Sequence, residues 1–186
     1  MITTSVKIRE YIQLSFIVRQ ELEKIATNEA RMKEYELIGS GMNATVFNVH
    51  GMALKVYDSE YAMIGDAVPL KILKGSIYFP ELYARCPERF VLMEYIPGKT
   101  LKQYALEKVT FKSEWFNHLE RALKFALSKG VSFEDLHLEN VIIRDNIPVI
   151  VDVGDYYAGD YKMNERALQS IPEFYEKVLR NPNDYN

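Results

Sequence analysis

The sequence is poor in the residues that build disulfide and metal frameworks. Among 186 residues it holds one cysteine, Cys86, and three histidines. An internal disulfide is therefore excluded, and Cys86 is expected to be a small buried apolar residue in a protein of a reducing compartment. Charge of one sign is also lacking: 23 Lys and Arg against 26 Asp and Glu leave a net charge of −3. No basic field argues for nucleic-acid binding. Long apolar runs are missing too. None approaches the roughly 18 residues of a membrane helix, and the N-terminal MITTSVKIREYIQ lacks the continuous apolar core of a signal peptide. The expectation is a cytoplasmic protein without membrane association. Repeats, low-complexity segments and long linkers are absent as well. What is present is an apolar fraction of 48%, enough to form the core of one domain or of one compact domain with two lobes.

Along the chain the hydrophobic period changes several times. Ile8, Tyr11, Ile12, Phe16, Leu22 and Ile25 recur near helical spacing, which predicts one long amphipathic helix or two over residues 7 to about 33. The runs YELIGSG, ATVFNVH and MALKVYD then read as three strands, the last two joined by a tight turn at His50-Gly51. Residues 59 to 75 read weakly as a helix interrupted by Pro69. LYARC and RFVLMEY follow as a strand pair turning at Pro87-Glu88. Residues 99 to 108 and 113 to 129 are predicted helices, with Gly130 stopping the second. Two brief strands, VII and PVIVDV, flank the turn RDNI. A last helix runs from Asn164 to about Arg180, with Ser170 and Pro172 capping a second segment of it.

Five short motifs lie on this frame. GSGMNATV at 39 to 46 resembles the loop G-x-G-x-x-G-x-V, where glycine leaves backbone amides open to phosphates; Ala44 replaces the third glycine. Nine residues beyond Val46, ALKVY places Lys55 on the next strand. FVLMEYIPGKTL spans the fifth strand and the stretch that leaves it. DLHLEN at 135 to 140 and DVG at 152 to 154 are joined by the predicted hairpin. Their order and spacing resemble the protein kinase superfamily. The resemblance covers residues 35 to about 155 and implies an α+β, protein kinase-like two-lobed fold. Its parts would be an N-terminal helical extension (1–34), an N-lobe with a five-stranded antiparallel sheet (35–96), and a reduced helical C-lobe (97–186).

The resemblance further implies ATP and Mg²⁺ as cofactors and a protein substrate. Asp135 would be the catalytic base, orienting the attacking hydroxyl; Asn140 and Asp152 would hold the metal, and Lys55 the α- and β-phosphates. His137 would touch the γ-phosphate. The nucleotide would meet Ile38, Gly39, Ser40, Gly41, Val46, Ala53 and Ile142, with Met93 as gatekeeper and adenine bonded to the Glu94 carbonyl and the Ile96 amide.

Departures from the pattern set further expectations. Phe133 and Glu134 replace the His-Arg pair before Asp135, so activation by loop phosphorylation is not expected. Val153 stands for the phenylalanine of D-F-G as a smaller apolar plug. The acid that pairs with the strand lysine is out of place, leaving Asp66 or Glu60 to serve. Few residues follow Gly154, as in the minimal, atypical kinases such as the RIO-like family. Asp-Leu-His-x-x-Asn resembles instead the aminoglycoside and choline phosphotransferases, which act on small molecules. Three readings stay open: a serine/threonine protein kinase, a small-molecule kinase, and a nucleotide-binding pseudokinase that serves as an interaction module.

Overall fold

The structure is a computed structural model that describes residues 8–27, 31–41, 43–57, 65–87, 89–133, 136–154, 156–158 and 161–185. The chain divides into two compact units, Met1–Lys71 with Glu81–Tyr95, and Ile72–Pro80 with Ile96–Asn186.

Unit 1 is built on an antiparallel sheet. Its strands are β1 (Arg9–Glu10), β2 (Glu36–Ser40), β3 (Ala44–Val49), β4 (Met52–Tyr57), β5 (Leu82–Cys86) and β6 (Phe90–Glu94), in the order β1-β5-β6-β4-β3-β2. Five of them were expected; β1 is an addition of two residues, too short to leave a period in the sequence. The turn between β3 and β4 is the anticipated one. His50 and Gly51 both have positive φ, 52° and 79°, as the primed turns of two-residue hairpins require.

The expected long N-terminal helix is shorter. It is α1 (Phe16–Ala26), begun by Ser15, whose hydroxyl accepts from the Val18 amide. Its buried stripe, Val18, Leu22, Ile25 and Ala26, packs with Leu54, Ala84, Phe90 and Leu92 of the sheet, and Cys86 is buried in the same core. Strands alternate side chains between faces, so the cross-strand partners of the intervening residues point away from α1.

Of the expected helix at 59 to 75, the described part is α2 (Ala67–Ile72), while residues 58–64 lie outside the described residues. Pro69 falls in the first turn, where its missing N–H leaves no bond unmade.

Unit 2 contains α3 (Leu101–Leu106), α4 (Ser113–Ser128) and α5 (Tyr161–Arg180). A three-stranded sheet joins β7 (Lys99–Thr100), β9 (Val141–Arg144) and β10 (Ile147–Ile150), and β8 (Val131–Phe133) pairs with β11 (Tyr156–Ala158). A capping box of Thr100 and Gln103 starts α3, and Gly130, at φ 75°, ends α4. The core gathers Trp115, Leu119 and Leu123 of α4 with Ile171, Tyr175 and Val178 of α5.

That last stripe corrects the expected break at Ser170 and Pro172. Helix α5 is continuous with Pro172 inside it, because Ile171, Tyr175 and Val178 keep one buried face through the proline. Their burial, at about 1.5–3 kcal/mol each, outweighs the roughly 3 kcal/mol that an interior proline costs. Among the described residues, no helix is long and apolar enough to cross a membrane.

Candidate active site

In unit 1 the proposed nucleotide-contacting side chains converge on one face of the sheet. Val46 lies opposite Lys55, Lys55 opposite Val91, and Ala53 opposite Met93. Directly opposed residues of antiparallel strands share a face. This face is the one turned away from α1, because Leu54 and Leu92 between them enter the α1 core.

Lys55 is 8% exposed, and its Nζ lies 2.8 Å from Oδ2 of Asp66, which is fully buried. Asp66 is thus the acid opposite the strand lysine; Glu60 lies outside the described residues. A third group joins them. Tyr57 donates its hydroxyl to Asp66 Oδ2 at 2.8 Å, and the Asp66 amide donates to the Tyr57 oxygen at 3.2 Å.

Strand β2 ends with Gly39 and Ser40, paired with Val46 and Thr45, and Gly41 opens the turn to β3, its amide donating to the Ala44 carbonyl at 2.9 Å. Neither glycine is needed by the fold. A Cβ at Gly39 would meet nothing within 4 Å, one at Gly41 would find only the Ala44 carbonyl at 3.8 Å, and neither has a left-handed φ. Ile38 is exposed beside them, and β6 ends at Glu94, whose amide donates to the Glu81 carbonyl.

In unit 2 the hairpin of β9 and β10 sets Asn140 beside Asp152. Asp145 and Asn146, at φ 51° and 65°, make its turn. The resulting register pairs Val141 with Ile150, and one step further the Val151 amide donates to the Asn140 carbonyl at 2.9 Å. An amide oxygen and a carboxylate therefore flank the open end of one hairpin, and both are hard donors suited to Mg²⁺. Among the described residues no group of three or more His, Cys, Asp or Glu could hold a metal. Asp152 Oδ1 accepts from the Gly154 amide at 3.4 Å, and Val153 is buried. Ile142 lies opposite Val149 and Thr100 in the hairpin sheet.

Asp135 and Glu134 lie outside the described residues, but both flanks are fixed. Phe133 ends β8 and stacks on Phe79. Leu136 and Leu138 are buried, and His137 Nδ1 accepts the Glu139 amide at 3.3 Å to start the 3₁₀ turn Leu138–Asn140. Lys102 of α3 grips Glu139 at 2.6 Å and holds its carboxyl below the usual range. A recess of ≈ 190 Å³ opens beside this turn, lined by Leu136, His137, Leu138, Ser170, Ile171 and Phe174.

Two residues of this arrangement went unread in the sequence. Tyr57 was detectable, since it lies two positions after Lys55 on the same face of β4. Asn164, 4% exposed on α5, had no local signal. Its Oδ1 accepts from the Phe133 amide at 3.0 Å, and its Nδ2 donates to the carbonyls of Leu123 and Val131. It ties the strand entering the DLHLEN loop to α4.

No family model matches the chain. A Bacillus subtilis protein, "Putative serine/threonine-protein kinase YrzF", is 30% identical to it over 162 residues, which are 80% of this chain and 75% of that protein. A second relative, "Serine/threonine-protein kinase D" of Synechocystis sp., is 28% identical over 105 residues, 54% of this chain but 20% of that longer protein.

Proposed function

The chain belongs to the serine/threonine-protein kinase-like family, and from that premise we propose that it transfers the γ-phosphate of Mg²⁺-ATP to a serine or threonine hydroxyl of a protein in the cytoplasm. The observation that carries this reading is the Lys55–Asp66 pair. Burying two charges is a poor way to gain stability, since desolvation consumes most of the attraction. A lysine held at fixed length on a strand face, beside a loop whose glycines the fold does not require, is instead suited to phosphate oxygens.

Each residue has a separate task. At Gly39 and Gly41 no Cβ stands between the backbone and an approaching phosphate. Val46, Ala53 and Met93 offer an apolar face for a base, with the Glu94 carbonyl and Ile96 amide at the chain's passage from unit 1 to unit 2. Asp135 orients the attacking hydroxyl and receives its proton as that oxygen bonds to the γ-phosphorus, while the bond from the γ-phosphorus to the bridging oxygen breaks and ADP leaves. Asn140 and Asp152 would hold the metal, which when bound would supply charge neutralisation to the transferring phosphate. Such transfer needs positioning and balanced charge more than covalent chemistry.

The test is transfer from γ-labelled ATP, with Mg²⁺, to the protein itself and to a generic basic protein, beside Asp135→Asn and Asp152→Ala. Label on wild type that vanishes in both variants, with nucleotide binding retained in Asp135→Asn, is expected. Label retained in Asp135→Asn removes that residue from the role of base. No transfer to protein, but ADP release with sugars or aminoglycosides, assigns the chemistry to a small-molecule hydroxyl. Binding without any transfer assigns the pseudokinase role.

A further inference from the structure

Resting on the kinase reading, the structure assigns Tyr57 as a positioning residue that holds Asp66 against Lys55 and so sets the lysine for phosphate. Aspartate is one methylene shorter than glutamate, so its carboxylate reaches Lys55 only if its own backbone is held close to β4. Tyr57 supplies that hold at two points, accepting from the Asp66 amide at 3.2 Å and donating to Asp66 Oδ2 at 2.8 Å. Lys55 Nζ shares the same Oδ2 at 2.8 Å and also lies 5.7 Å from the Tyr57 ring centroid, within reach of the ring face for a cation.

The three groups form one unit for simple reasons. Lys55 and Tyr57 are two apart on β4 and share a face. Asp66 is placed directly before α2, and its carbonyl accepts from the Leu70 amide at 2.9 Å. A fully buried carboxylate is satisfied by hydrogen bonds to its charged form, and the phenol is one such donor. Without the hydroxyl, Oδ2 and the Asp66 amide each lose a partner, and the carboxylate is held less firmly against Lys55. The ammonium then loses the anchor that fixes its tip.

The experiment is Tyr57→Phe, which keeps the ring and removes the hydroxyl. Affinities for a non-hydrolysable ATP analogue with Mg²⁺ and for adenosine are measured well below the melting temperature. Because Lys55 acts on phosphate and the base is held elsewhere, the analogue should bind about tenfold more weakly, the effect of one charge-assisted bond. Adenosine should bind as to wild type. In turnover, KM for ATP should rise more than kcat falls. Equal weakening of both ligands, or no change in either, overturns the assignment and leaves Tyr57 a packing residue. A wild type that binds neither ligand overturns the kinase reading itself, and this inference with it. Should Tyr57→Phe fail to fold, Tyr57→Met fills the site without a hydroxyl and is read by the same two affinities.

Discussion

Replacing Lys55 by methionine removes the cation from a pair whose anion is entirely buried, and the first consequence should be instability. Asp66 is 0% exposed and the Lys55 side chain 10%, so water cannot take the place of the ammonium. Deleting one partner of a buried ion pair costs about 3–5 kcal/mol, because the remaining charge is stranded in a poorly polarisable site. For a chain of this length that is a fall of about 10 °C in melting temperature. Lys55→Met/Asp66→Asn should regain at least about 2 kcal/mol of the loss, since no charge is then stranded and the Asn side chain still meets the Tyr57 hydroxyl. The assay is urea unfolding followed by circular dichroism, with hydrogen exchange at the β4 amides as the local report. That local report is needed because two compact units need not unfold together. A loss below about 1 kcal/mol, or a double variant no more stable than the single one, would refute the reasoning. The outcome also decides how a loss of phosphate transfer in Lys55→Met is to be interpreted: only a folded double variant that remains inactive assigns the loss to the missing ammonium.

Three further outcomes are expected. Asn164→Ala removes three buried hydrogen bonds and should lose about 2–3 kcal/mol despite a better helix former at that position, seen as faster exchange of the Phe133 amide; unchanged exchange would deny the link to the DLHLEN loop. At Gly98, φ is 145° and a Cβ would sit 2.2 Å from the Ile143 carbonyl oxygen, so Gly98→Ala should cost about 3 kcal/mol or more, whereas Gly39→Ala should leave the thermal melt unchanged. In alkali, burial first and then the hydrogen bond to Glu21 push the Tyr35 phenol up to about 12. A raised pKa favours the neutral phenol of the folded state, so this stability is complete below pH 10, the ordinary phenol value, and is lost as pH rises through about 12. Tyr35→Phe should remove one late equivalent from the 295 nm titration.

Much of the local structure was legible because it obeys local rules. The alternation in MALKVYD put Lys55 on a strand face, Gly130 stopped a helix, and the hairpin between DLHLEN and DVG follows from two short apolar runs about a polar turn. The order and spacing of the motifs mark a kinase-like chain on their own. Less legible were α1, cut short at a Ser15 cap inside a pattern that continued before it, and β1, whose two residues form a strand only because β5 offers an edge.

What the sequence by itself determined was the list of chemical groups, their order and the strands and turns that carry them, since those depend on neighbours a few positions away. The tertiary structure alone decided which acid meets Lys55, why Tyr57 belongs with them, that Pro172 stays inside α5, and that Asn164 joins β8 to α4. Each of these is a contact between segments distant in the chain. No period in a sequence records the burial that makes an unpaired carboxylate or amide intolerable, and it is that burial which selects the partner.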